Sequence, residues 1–470
     1  MSNNPIIKCA GAVALAGTLA STAVADDSAL IDILQRKGIL SQKEATSLRQ
    51  ELNRGENSAS KMKLSSAVSE LKLYGDIRFR YQFDEQDSQL PPSQGGGANL
   101  SQNSRMRFRL RLNADFKLGE HAFGGVELQS NNASDSGNQT YQNGFSDYEI
   151  FISKAFLGWH PNEWFTVTAG KMANPFYATE LIWDSDINPT GVTEVIDFHK
   201  LVGLEPSRDY AKDGKETKDI QPAERAWQLS LVAGQFIFDD NPEFNGPDYD
   251  SSTDAYLVET QLIGSYKFGG TKVTLAPAWL TYINGSASGL VNGTKFEDSA
   301  LVSGATRNLN LLLAPGDIRF EMGGLKTKVY WDFSYNIDGK KRVQDTYRLA
   351  NNVGNPQHTT EDDFAYLIGF QVGENRKQGD WSLLVNWRQV GLGAVDPNLN
   401  DSDYAQSELN VRGVKGVVGY NFSDFAVGTV TYGYAWNLRD SLFGGEATGG
   451  NTVAGANVAK VLLLEFMVKF

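Results

Sequence analysis

The sequence predicts an all-β protein, a 16-stranded antiparallel transmembrane β-barrel with a short N-terminal periplasmic helical hairpin. Three observations carry this. Apolar and polar residues alternate with period two in sixteen separate segments, although the mean hydropathy is negative. The connections between those segments alternate between short and long. The last segment, residues 458–470, ends the chain on the aromatic ring of Phe470. Successive side chains of a strand point to opposite faces, so Val458, Lys460, Leu462, Leu464, Phe466, Val468 and Phe470 share one almost wholly apolar face. An open sheet ending this way would leave an aggregation-prone edge. A closed barrel has no free edge, and lipid covers its apolar face.

Taken in order, residues 1–25 read as a secretory signal. Lys8 supplies the positive start, residues 10–25 the short apolar stretch, and Ala23-Val24-Ala25 a small-x-small cleavage pattern before Asp26. The single cysteine, Cys9, lies inside this leader. The processed chain then has no thiol for a disulfide, for nucleophilic catalysis or for a zinc site. Acidic residues number 56 against 43 basic ones, a net charge of −13, and losing Lys8 makes it one unit more negative. That balance argues against a nucleic-acid partner. No apolar run beyond the leader approaches the roughly 20 residues of a spanning helix.

Residues 26–66 read as a periplasmic helical hairpin and linker. Leu30, Ile33 and Leu34 lie at helical spacing, with Gly38 placed to end the first helix. Ser41-Gln42-Lys43-Glu44 forms a capping box, and Ala45, Leu48 and Leu52 continue a second stripe. Residues 53–66 are polar.

The barrel occupies residues 67–470. In the first strand Leu71, Leu73, Ile77, Phe79, Tyr81 and Phe83 share a face. Lys72, Tyr74, Asp76, Arg78, Arg80 and Gln82 take the other. Residues 84–103 read as a Pro/Gly/Gln loop. Residues 105–116 alternate again, with Arg105, Arg107, Arg109 and Arg111 opposite Met106, Phe108, Leu110 and Leu112. Further strands are expected near 122–130, 149–159, 165–172, 191–200, 227–238, 255–268, 273–283, 308–322, 328–336, 363–373, 380–390, 407–422, 426–437 and 457–470. Short turns on one side and long loops on the other are what a transmembrane barrel requires, as is an even strand number. Residues 201–226 break the alternation and read as an insertion. In the strand near 308–322, Leu309, Leu311 and Leu313 are apolar at odd positions and Ile318, Phe320 and Met322 at even ones. A bulge at Pro315-Gly316 would shift the register and return the apolar face to lipid. Trp331, Tyr335, Trp381, Trp387, Tyr432, Tyr434 and Trp436 fall on outward faces, several near strand ends, as interface girdles.

A sequence of motifs then resembles a known family. Gly170-Lys171-Met172-Ala173-Asn174-Pro175-Phe176 is followed by Trp183-Asp184-Ser185-Asp186-Ile187-Asn188-Pro189-Thr190-Gly191. With Lys37-Gly38-Ile39-Leu40, the arginine-rich second strand, Asp332-Phe333-Ser334-Tyr335-Asn336 and the terminal Phe470, the chain resembles the putative porins of Gram-negative outer membranes, a family related to the phosphate-selective porins. The resemblance implies a 16-stranded channel in the bacterial outer membrane, often a homotrimer, surrounded by outer-membrane lipid. It also implies that Phe470 is a signal read by the barrel-assembly machinery.

A barrel of this strand number encloses water rather than a packed core. Function then rests on the charges that line it. Arg78, Arg80, Arg105, Arg107, Arg109 and Arg111 point inward from two adjacent strands. Arginine keeps its proton, so such a row reads as a track for small hydrophilic, anionic solutes. In many porins the third outer loop folds into the pore. Here that loop is residues 173–190, and Asp184 and Asp186 would face the arginines while Trp183 anchors the loop. The alternative is an Asx-bonded turn of structural purpose only. Residues 239–254 are strongly acidic, but lack the spacing and glycine of a calcium loop, and read as solvated. His121, His160, His199 and His358 are scattered, with no metal-ligand pair or nucleophile motif. No enzyme and no cofactor is expected. The reading is passive diffusion of small hydrophilic solutes through an arginine-lined pore. The alternative is a structural barrel or adhesin with a closed lumen.

Overall fold

The computed structural model describes residues 65, 67–90, 97–131, 133, 136–141, 145, 147–202, 226–239, 254–284, 308–349, 359–439 and 458–470. The expected signal and helical hairpin lie outside the described residues, as do residues 203–225 of the insertion and 240–253 of the acidic loop. The barrel unit runs from Ala67 to Phe470.

Its strand segments form one sheet. They are β1 (Val68–Leu90), β2 (Gly97–Leu118), β3 (Ala122–Gln129), β4 (Gln139–Thr140), β5 (Phe151–Asn162), β6 (Phe165–Lys171), β7 (Thr190–Asp197), β8 (Trp227–Asp239), β9 (Ala255–Phe268) and β10 (Thr271–Leu275). Then come β11 (Ala278–Ile283), β12 (Asn310–Leu313), β13 (Gly316–Met322), β14 (Leu325–Asn336), β15 (Phe364–Gly373), β16 (Trp381–Val390), β17 (Val411–Ser423), β18 (Ala426–Asn437) and β19 (Val458–Lys469). Among the described residues two short α-helices, α1 (Phe198–Leu201) and α2 (Gly339–Leu349), sit between strands.

Every pairing is antiparallel, and β19 returns to β1 through a ladder from Asp76↔Lys469 to Asp87↔Val458, which closes the sheet. Three pairs of segments each form a single stave. β3 and β4 both run along β2. β10 and β11 both run along β9, and β12 and β13 along β14. The result is a closed 16-stranded antiparallel barrel, as the sequence predicted. Phe470 completes the seam: its N–H donates to the Gly75 carbonyl (3.0 Å) and its carbonyl accepts from Gly75 N–H (2.9 Å). Glycine is required there, because a Cβ on residue 75 would lie 2.4 Å from the Arg111 carbonyl and 2.9 Å from the Phe470 ring. The turn at Gly323-Gly324 uses glycine differently. Both residues have φ near +60 to +80°, the twist a two-residue hairpin needs.

The faces sort as period two requires. On β1 the odd residues Leu73 and Phe79 are 64% and 50% exposed, while Arg80, next to Phe79, is 3% exposed. Aromatics cluster on the outside near both rims. Tyr420, Phe422 and Phe466 pack together at the short-turn end, and Trp387, Tyr434 and Trp436 toward the other.

Two expectations are corrected. The loop expected at 84–103 is mostly strand, since β1 and β2 pair without a break up to Leu90↔Gly97. Beyond the membrane both faces of a hairpin can be polar, so the alternation that marks a strand disappears while its hydrogen bonds continue. The register shift expected at Pro315-Gly316 is also absent. Residues 311–313 and 316–322 pair with β14 in one unbroken register. The ladder is interrupted at Pro277 and Pro315 because proline has no N–H to donate. Leu309, Leu311 and Leu313 therefore face inward and are buried, while Leu312 faces out. They belong to an internal core that the period-two reading did not foresee. It joins inward residues such as Phe236, Leu257, Leu280, Leu367 and Val390 to loop residues Leu181, Ile182, Trp183, Leu392 and Leu399.

An arginine wall faced by two folded-in loops

The wall is built by register. Across β1 and β2, Arg78 stands opposite Arg109, Arg80 opposite Arg107, Gln82 opposite Arg105 and Asp76 opposite Arg111. Directly opposed like charges destabilise a sheet by up to ~1 kcal/mol each, so the wall needs counter-charges. Asp76 takes Arg109 (2.9 Å) and Arg111 (2.8 Å). Asp84 takes Arg105 (2.6 Å), and Glu465 of β19 takes Arg80 (2.8 Å) and Arg78 (3.2 Å). Asp403 forks onto Arg80 through two bonds of 2.8 and 2.9 Å.

Arg107 differs. Its guanidinium donates to the Gln82 side chain (3.0 Å), the Ser136 hydroxyl (3.2 Å) and the Asn138 carbonyl (2.8 Å). No carboxylate among the described residues comes within ion-pair distance of it. Its partners Ser136 and Asn138 lie on the inward excursion between β3 and β4, and Asn138 also accepts from Arg78 (2.8 Å).

The connection from β6 to β7 spans the interior. Tyr177 bonds Gln261 of β9 through its backbone N–H and carbonyl (2.7 and 2.8 Å), and its hydroxyl donates to Asp317 of β13. Thr179 donates to Asp332 of β14 (2.8 Å). Glu180 accepts from Tyr330 (3.2 Å) and Asn386 (2.8 Å). The Trp183 indole donates to Glu259 (3.2 Å), with its ring edge-on to Phe236. At its far end Asp186 reaches Arg109 (3.4 Å) and Arg78 (4.0 Å).

Of the two acids that the sequence places opposite the arginines, Asp184 and Asp186, only Asp186 reaches them. The Asp184 carboxylate turns away and accepts the backbone N–H groups of Asp186 (3.0 Å) and Ser402 (2.9 Å). Burial, reinforced by Asp401, pushes this carboxyl up to about 7.

Asp184 is where a second loop enters, the connection from β16 to β17. Asp184 N–H donates to the Leu399 carbonyl (2.6 Å), and Asp401 N–H to the Glu180 carbonyl (3.1 Å). Arg388 of β16 ties the two together: it bonds Asp401 (3.0 Å) and Glu180 (3.4 Å) and lies 4.2 Å from the Tyr404 ring centre. Burial alone would raise the Asp403 carboxyl, but Arg80 holds it well below the usual carboxylate range. Sequence reasoning missed this second loop. The available signal was its apolar content, Leu392, Ala394, Val395 and Leu399, together with lumen-parity leucines that water would not favour.

A closed barrel with a lipid-matched exterior and a charged, loop-narrowed interior is the architecture of an outer-membrane porin. Residues 36–288 match the sequence profile of the putative porins, and the chain belongs to that family. Its location is accordingly the bacterial outer membrane. Among solved structures, OmpF of Salmonella typhi, in a complex with daunomycin, is similar at 11% identity, covering 87% of this chain and all of that one, with a TM-score of 0.44. A loop-deletion mutant of OmpT, an outer-membrane protein of Vibrio cholerae, is similar at 10% identity, covering 86% and 100%, with a TM-score of 0.39. A mutant Rh. blastica porin is similar at 10% identity, covering 85% and 100%, with a TM-score of 0.37. No curated protein matches.

Proposed function

We propose that the protein is a pore for passive diffusion of small hydrophilic solutes, anions foremost, along the arginine wall of β1 and β2. The observation that carries this is Arg107, a charge on the wall with hydrogen-bond partners but no carboxylate within ion-pair distance among the described residues. A fixed cation with spare donors attracts anions without holding them tightly, which is what conduction needs. Asp186, opposite Arg78 and Arg109, gives the lane a transverse field that orients dipolar solutes. Trp183 anchors the loop that carries it. In planar bilayers, Arg107→Ala with Arg109→Ala should shift the reversal potential toward cation selectivity. Unchanged reversal potentials would remove the anion track.

In this reading residues 1–25 direct secretion, residues 26–66 form a periplasmic helical hairpin, and Phe470 is presented to the barrel-assembly machinery. The family resemblance supports a homotrimer in outer-membrane lipid. A second reading is favoured by the internal apolar core: a structural barrel or adhesin whose loops close the lumen. Single-channel recording separates the two, since a closed barrel carries almost no current.

A further inference from the structure

Away from the arginine wall, a second basic surface lines the interior on the far arc of the barrel. Lys267 of β9 pairs with Lys272 of β10, Lys272 with Arg319 of β13, and Arg319 with Lys328 of β14. Four cations thus stand in one row across four adjacent staves, on the inward parity of each. Sheets avoid opposed like charges, and nothing in the pairing of these strands requires them. Arg319 is compensated by Asp317, at 2.7 Å. Among the described residues Lys272 and Lys328 form no ion pair. Among these residues the Lys272 ammonium reaches the Gln228 side chain, at 3.5 Å, and Lys328 lies over the Tyr330 ring, at 4.4 Å. Neither has a carboxylate within ion-pair distance among the described residues. The nearby Glu374 is taken by Lys326 and Arg376, each at 2.8 Å. Glu321 stands opposite Lys326 in the ladder.

Both lysines line a cavity of about 520 Å³ at the short-turn end, together with Lys267, Arg319, Lys326 and Arg376, the neutral Gln228, Ser265 and Gln371, and two carboxylates, Glu321 and Glu374. That is the volume of a small-molecule site. Neighbouring strands lie about 4.8 Å apart, so the stems of Lys272 and Lys328, two staves from each other, are roughly 10 Å apart. One carboxylate cannot meet both charges. A short chain with a carboxylate at each end can.

We propose that this row is a binding station for small organic dianions of the dicarboxylate class at the short-turn mouth. It shares no residue with the arginine wall, so it stands or falls independently of the anion track there.

The test is single-channel recording of the full barrel in chloride, with succinate, acetate or mannitol added to one side. Succinate on the short-turn side should reduce the chloride current at concentrations where acetate and mannitol do not. Lys272→Gln with Lys328→Gln should raise the half-blocking succinate concentration by about tenfold or more, as loss of two near-surface charge contacts implies. The chloride-over-potassium preference should stay within about twofold of the parent. Lys272→Arg with Lys328→Arg keeps both charges and should keep the block. Equal block by acetate, block only from the long-loop side, or undiminished block in the glutamine variant would overturn the station. A parent barrel without anion preference that still binds succinate would sink the arginine track and leave the station standing.

Discussion

Two arginines that face each other across β1 and β2 do opposite work. Arg80 is 3% exposed and answers two carboxylates, Asp403 and Glu465. Removing it would strip Asp403 of its forked pair and leave Glu465 with Arg78 alone, and hydrogen bonds to charged groups are worth about 1.5–3 kcal/mol. Arg107 answers none among the described residues, so its removal strands no described charge. Arg80→Ala should therefore lower the temperature at which the folded barrel is lost on gels far more than Arg107→Ala does. Equal losses would mean that the ion pairs of the wall contribute little. Both arginines were legible in the sequence as inward-pointing members of an alternating strand. Which of them is neutralised was not legible, because their partners come from β19 and from a loop some 320 residues away in the chain.

Among the elements, the two folded-in loops form one unit. They share backbone hydrogen bonds, a common apolar core and the Arg388 clamp. Ala405, Gln406 and Ser407 adopt left-handed φ values of 49, 54 and 64°. Such backbone costs of order 1–3 kcal/mol per residue and persists only where surroundings over-determine it. Asp184 makes the docking sensitive to pH. Its carboxyl is raised to about 7 in the docked state, so the docked state holds a proton that a released loop would lose. The docking free energy from this group is thus fully present below the ordinary carboxylate range and fades as pH rises through about 7. Current noise from loop motion should grow between pH 5 and 8 in the parent and grow less steeply in Asp184→Asn. Identical pH profiles would exclude Asp184 as the source. The first of these loops announced itself through its motif and tryptophan. The second did not, because apolar residues in a connection look like an ordinary surface loop until an interior is known to receive them.

For the molecule as a whole, closure is the event on which the rest depends. The seam is the β1–β19 ladder, and its last two hydrogen bonds join Phe470 to Gly75. Gly75→Leu should lower the yield and thermal stability of folded barrel, since the new side chain meets both the Arg111 carbonyl and the Phe470 ring. Deleting Phe470 removes the same two bonds without introducing a clash. If Gly75→Leu refolds as well as the parent, the crowding at the seam is not limiting.

The sequence by itself determined the lipid-facing half of this protein. Alternation, turn length and an even strand number are local properties, and together they specify an outward face, a closed sheet and sixteen staves. Only the tertiary structure decided the inward half. Period two says that a side chain faces inward, but not what it meets there. Water, a carboxylate from a strand far along the chain, or a buried loop are equally compatible with an inward Arg80, Leu311 or Lys272. The choice depends on curvature, which brings residues that are distant in sequence to face one another across the same interior.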